Sequence, residues 1–199
     1  MSRINSFENF PERHFRETTN FFLGPLKELE DGGVVNEAQI WKMAHLNDPY
    51  SKMFTGLSFG KFTLNQTSTC ETEGWHLPPV HGCECGFYGF NELNRAIDLF
   101  AHARALVLIK AEFYGSIIVH DHGLRAEEQE IREIYINDTC SKIFCRRPTV
   151  GVVKRRKNWF NVCEKHVTPS FIDLEKLGFL FKIKVGTFNR KQYRLQTVN

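Results

Sequence analysis

Cys140-Ser-Lys-Ile-Phe-Cys145 and, after seventeen intervening residues, Cys163-Glu-Lys-His166 bracket a segment that reads as two short strands around a basic turn. Thr149–Val153 and Trp159–Val162 are β-type runs, and Lys154-Arg155-Arg156-Lys157-Asn158 lies between them. Three thiols and an imidazole are the donors that a structural zinc ion takes in tetrahedral geometry. A ligand pair near each end of a β-hairpin is the arrangement of a zinc ribbon, in which the metal replaces a core too small to fold unaided. The Cys140/Cys145 knuckle is wider than the common Cys-x2-Cys.

A second set stands upstream, in Cys70-Glu-Thr-Glu-Gly-Trp-His76-Leu-Pro78-Pro79-Val-His81-Gly-Cys83-Glu-Cys85-Gly86. The Cys83-x-Cys85 pair with Gly86 beside it can bend tightly enough to direct both sulfurs at one ion, and Pro78 and Pro79 stiffen the approach. Cys70 and His76 complete a set of four, with His81 as the competing imidazole. The two sets use all six cysteines of the chain. None is left to serve as a nucleophile, which argues against a cysteine enzyme. Two Zn2+ per chain are expected.

Residues 70–136 resemble an uncharacterised family of small bacterial proteins. The resemblance is carried by His76 to Tyr88, and then by Gly115-Ser-Ile-Ile-Val-His120-Asp-His-Gly123-Leu-Arg125-Ala126-Glu127. The Cys140–His166 segment is similar to the region after the Arg-Ala-Glu stretch in some members. The family has no assigned activity, so the resemblance implies a fold and a site but no function, and it does not reach residues 1–50.

Working outward, Asn36 is the expected N-cap of a helix over Glu37–Leu46, with Ile40, Met43, Ala44 and Leu46 near one face. Phe54–Leu64 reads as a short strand pair. Asn91 is expected to cap a helix running from Glu92 to about Arg104. Ala105–Lys110 and Tyr114–His120 are expected to form a hairpin, and Arg125–Ile136 fits helix or strand. Phe179–Val185 alternates like a strand, with Lys191–Val198 returning. The expected fold is α+β, with strand-rich small domains stapled by two zinc sites. Residues 1–50 form an N-terminal arm with one helix, 51–137 a first zinc module, and 138–199 a basic zinc-ribbon-like hairpin with a C-terminal hairpin.

Composition sets the setting. The 199 residues are 42% hydrophobic and 25% charged, an ordinary balance for a folded chain. No run approaches the roughly 18 consecutive apolar residues of a membrane helix, and the N-terminal stretch lacks the apolar centre of a signal peptide. A cytoplasmic setting without membrane contact is expected, and there spaced cysteines point to metal more than to disulfides. Charge is divided unevenly. Residues 139–199 hold 14 Lys and Arg against three acids, an excess of 11, so with +3 overall the remainder carries −8.

That asymmetry suggests a polyanion. Arg146, Arg147, Lys154, Arg155, Arg156 and Lys157 are candidates for phosphates, and Trp159 for a base. The expected function is therefore non-enzymatic nucleic-acid binding. One alternative is a protein-interaction or inhibitor module presenting a Phe-rich surface, for which Phe7, Phe10, Phe15, Phe21 and Phe22 would serve. Another is a metal-dependent hydrolase or nuclease centred on His120, His122 and Glu127, with Arg125 close by. The competing reading of those four is a polar hairpin end. The His-x-Glu and Pro-Cys-x-x-Cys signature of zinc deaminases is absent, as are Gly-rich phosphate loops and Gly-x-Ser-x-Gly turns.

Overall fold

The computed structural model describes residues 37–56, 60–70, 76–99, 106–189 and 194–197. The five arm phenylalanines and the Asn36 cap lie outside them. The described chain is mostly β rather than α+β. It comprises strands β1 (Glu37–Asp48), β2 (Met53–Gly56), β3 (Lys61–Phe62), β4 (Asn65–Thr67), β5 (Phe87–Phe90), β6 (Leu106–His120), β7 (Gly123–Asn137), β8 (Gly151–Arg155), β9 (Asn158–Val162), β10 (Ile172–Asp173), β11 (Lys184–Asn189) and β12 (Arg194–Thr197). Helices α1 (Leu93–Leu99) and α2 (Leu174–Phe181) accompany them. Among the described residues no helix is long and apolar enough to cross a membrane.

β6 and β7 form a long antiparallel hairpin, and β1 lies antiparallel against β6 from Glu37↔Tyr114 to His45↔Leu106. β7 also pairs with β5, which touches β1 through Trp41↔Phe90. The pairings β1–β6, β6–β7, β7–β5 and β5–β1 therefore close a ring. At Gly89 the backbone of β5 comes so near that a Cβ would meet Ile40 Cδ1 at 2.5 Å, so only glycine fits there. β2 and β3 extend the sheet from β1, and β11 runs parallel to the end of β7.

Three expectations need correction. The helix over Glu37–Leu46 is strand β1. Ile40, Ala44 and Leu46 enter the main core, while Trp41 and Met43 pack on the other face beneath α1. A strand buried on both faces loses its alternation, and its apolar positions then mimic a helical stripe. The hairpin expected within 105–120 is the single strand β6, which absorbs irregularities between Lys110 and Ala111 and between Tyr114 and Ile117 as bulges. Ser116 N–H in the second bulge donates to Glu127 Oε2 at 3.1 Å. The strand expected over Phe179–Val185 begins only at Lys184. Asp173 caps α2 by accepting from Lys176 N–H at 2.6 Å, and Leu174, Leu177 and Phe181 fall on its buried face. The Phe54–Leu64 strand pair forms as β2 and β3. The helix expected after Asn91 forms over Leu93–Leu99, so Glu92, whose carbonyl accepts from Ala96 N–H at 3.3 Å, and not Asn91, holds the cap position; residues 100–104 lie outside the described chain.

β8, β9 and β10 make a separate three-stranded sheet. It is not an independent unit, because Val152, Trp159 and Ile172 join the main core together with α2. A polar junction aligns it: Asn161 Nδ2 donates to Thr139 O, to Asn137 O at 3.3 Å and to Thr149 Oγ1 at 3.2 Å.

The ring encloses the amine of Lys42. Lys42 Nζ donates to Gln129 Oε1 at 3.0 Å and lies 4.3 Å from the Phe62 ring centroid, with the Phe87 and Phe113 rings at 5.6 and 6.0 Å. Burial pushes its pKa from 10.5 down to about 7. The folded state therefore resists protonation that the unfolded chain accepts. The contribution of Lys42 to stability is greatest above pH 10.5 and declines as pH falls toward 7, by at most about 1.4 kcal/mol per pH unit. Lys42→Met should remove this dependence. Its loss of the Gln129 bond adds a pH-independent cost of about 1 kcal/mol. Denaturant melts at several pH values should show the variant gaining on the wild type progressively from pH 10.5 down to pH 7.

Candidate metal centres

Among the described residues, two groups of His, Cys, Asp or Glu side chains bring their ligand atoms within 4.8 Å of one another. They are Cys70, His76, Cys83 and Cys85, and Cys140, Cys145, Cys163 and His166. These are the two sets expected from spacing, and His76 rather than His81 completes the first. His81 is exposed and outside the group.

In the first centre, Cys70 Sγ and Cys83 Sγ are 3.7 Å apart, and His76 Nε2 is 3.3 Å from Cys85 Sγ. Four donors around one ion with metal–sulfur bonds near ~2.3 Å are separated by about 3.7 Å, so the set fits a tetrahedral ion. The knuckle turns at Gly86, whose φ of 110° is open to glycine and whose Cβ would crowd Ala126 O at 3.1 Å. Arg125, a buried residue of β7, holds this knuckle from beneath. Its Nη1 donates to Cys83 O and, at 3.4 Å, to Cys85 O, and the guanidinium lies 5.9 Å from the Tyr88 ring centroid.

In the second centre, Cys145 Sγ and Cys163 Sγ are 3.7 Å apart, and His166 Nδ1 lies 3.4 Å from Cys140 Sγ and 3.3 Å from Cys163 Sγ. The Cys140–Cys145 loop is closed by Cys140 N–H donating to Arg147 O at 3.0 Å. A 3-10 turn over Glu164–His166 swings the imidazole back toward Cys163. Cys140 and Cys163 are buried against Val153 and Val162, a core too small to fold alone.

Burial pushes the Cys85 thiol up to about 11, and it raises Cys140 as well. Burial also acts upward on Cys163, but the Lys165 N–H and the neighbouring ligand thiols outweigh it, and the net direction is down. A metal ion must displace the protons of the raised thiols, so occupancy weakens as pH falls.

The polar group considered for catalysis does not converge. β6 ends at His120, which is buried, and His122 lies in the turn, so strand alternation does not align the two imidazoles. Glu127 accepts from the bulge at Ser116, and Arg125 supports the Cys83/Cys85 knuckle. None of His120, His122 and Glu127 belongs to either metal-capable group. The supporting role of Arg125 has no signature in the sequence, since nothing local marks a β7 arginine as the neighbour of a loop some forty residues earlier.

Of the residues assigned to nucleic acid, Arg146, Arg147, Lys154, Arg156 and Lys157 are exposed, and Arg155 is half-buried with its guanidinium 5.9 Å from the Phe160 ring centroid. Trp159 is corrected. It is only 5% exposed within the main core and offers no face to a base.

No family model, curated protein or solved structure matches this chain.

Replacing Arg125 with Met removes the donor to the Cys83 and Cys85 carbonyls. Competition with a chromophoric chelator should then show one metal per chain bound about 10- to 100-fold more weakly, as for other supporting partners of metal ligands. The other metal should be unchanged. Equal weakening of both, or of neither, contradicts the supporting role.

Proposed function

We propose that this protein is a non-enzymatic, zinc-stabilised nucleic-acid-binding protein whose second metal module meets phosphate. Each centre offers three thiolates and one imidazole, a soft tetrahedral donor set that suits zinc above the oxygen-preferring divalent ions. Bound zinc would tie Cys70, His76, Cys83 and Cys85 to the ring, and Cys140, Cys145, Cys163 and His166 to the β8–β9 hairpin. Its chemistry there is structural, since four protein ligands leave no open coordination position.

The observation that carries the reading is the exposed basic surface of the second module. Arg146 and Arg147 follow one knuckle, and Lys154, Arg156 and Lys157 crowd the hairpin turn. Trp159, buried in the main core, and the Asn161 junction fix the module in place, so these charges are presented on a rigid support. Such an array pairs with regularly spaced phosphates and releases counterions on binding. With Trp159 removed from the contact set, the assigned residues are positioning groups, and sequence preference is not expected from them.

Metal analysis of gently purified protein should return about two zinc ions per chain; zero or one removes at least one centre. Changing Lys154, Arg155, Arg156 and Lys157 together to Ala should weaken nucleic-acid binding. The slope of log affinity against log salt should flatten by about 0.9 per lost contact on duplex DNA, or about 0.7 on a single strand. Melting should shift little, because Lys154, Arg156 and Lys157 are exposed and such substitutions usually stay within about 0.5 kcal/mol, and the contact of half-buried Arg155 with Phe160 adds about 0.5–1 kcal/mol at most. A wild-type protein that binds neither duplex nor single strand at low salt ends this reading.

A further inference from the structure

The loop between the first two ligands of the second centre carries a side chain that folding does not explain. Phe144 has φ of 63°, the left-handed region in which an aromatic residue is disfavoured by about 1 kcal/mol or more. The residue is fully exposed, and Ile143 beside it is 61% exposed. Among the described residues, Phe144 is the one exposed large apolar side chain whose backbone is also left-handed. Water and backbone both oppose phenylalanine here, and glycine or asparagine would close the same loop at lower cost.

The surroundings indicate what covers the ring. Lys142, Arg146 and Arg147 flank it and are exposed. Between Asp138 and Glu164 the chain holds seven Lys or Arg and no acid. An apolar protein partner is recognised by a contiguous apolar patch, whereas here two adjacent apolar side chains stand between basic residues in the chain. An exposed aromatic ring on a loop that also carries cations matches a nucleobase joined to phosphates. A base in a duplex is already stacked on both sides, so a ring on a loop tip can cover only one that is unpaired or at an end.

We propose that Phe144 is a stacking platform for an unpaired base, with Lys142, Arg146 and Arg147 holding the adjoining phosphates, so that the preferred ligand is single-stranded nucleic acid. This rests on the nucleic-acid reading above and sharpens it. The platform is separate from the basic turn. Ser141 N–H donates to Asn161 O at 3.0 Å, near the Val162 end of β9, whereas the turn adjoins its Asn158 end. Asn161 and Asn158 are three residues, about 10 Å, apart along β9, so each element can be altered without the other.

The test measures binding of zinc-loaded full-length protein to labelled oligo-dT, to a labelled duplex and to anionic phospholipid vesicles. Wild type should prefer oligo-dT. Phe144→Ala should weaken oligo-dT binding roughly tenfold or more, leaving the duplex affinity within about twofold and the salt slope unchanged. Phe144→Trp should restore binding, and its added fluorescence should be quenched by oligo-dT. Phe144→Leu should behave like Ala, because bulk without a ring cannot stack. Should Phe144→Ala lose its metal, the comparison of Trp with Leu decides. Equal oligo-dT binding by wild type and Ala, or by Trp and Leu, overturns the platform, as does a wild-type preference for duplex; in each case the basic-surface reading survives. Stronger, Phe144-dependent binding to vesicles assigns the ring to a membrane surface and overturns it too. Binding to neither nucleic acid ends both readings.

Discussion

The backbone of β7 is shared among more partners than any other described segment. Along its fifteen residues it pairs with β6 throughout, with β5 near its start, with β4 in the middle and with β11 at its end. A strand can satisfy several neighbours only by offering different stretches of its edges in turn, which requires the sheet to curve. The irregularities in β6 supply that curvature, and Glu127 fastens the second of them through Ser116 N–H. Ring closure through Trp41↔Phe90 depends on it.

Both candidate metal centres depend on this strand, by different routes. The first is reached through a side chain, since Arg125 rises from the start of β7 to the carbonyls of Cys83 and Cys85. Three thiolates and a divalent ion leave such a centre with one negative charge, and the buried guanidinium supplies the compensating positive charge. The second is reached through the backbone, where β7 ends at Asn137 and the chain enters the Asn161 junction and Cys140. Trp159 then inserts into the same core as Phe54 and Phe181, so the basic module is carried on the ring and does not swing free of it.

Lys42 and Gln129 are the cost of this interior. An amine placed among three phenyl rings is desolvated, and Gln129 Nε2 has no partner among the described residues. Neither takes part in the metal centres or the basic surface.

The ligand sets were legible in the sequence because metal chemistry restricts residue type and short-range spacing together. Cys83 and Cys85, or Cys163 and His166, can meet one ion only if the turn between them is tight, and that requirement is local. The strands β8 and β9 were legible for the same reason, since turn chemistry acts over a few residues, and the helix after Asn91 was legible from its apolar spacing rather than from its cap. What pairs with what was decided elsewhere. Residues 37–48 have helical apolar spacing, but β6 and β5 take up the edges of this strand while the main core and α1 cover its two faces, so tertiary structure overrides local preference. Trp159 sits beside a basic turn in sequence and beneath the core in space, because the third strand and α2 bring the main core to it. Sequence alone placed the ligands together. Only the closed ring decided which side chains face water, since burial is set by contacts between segments far apart along the chain.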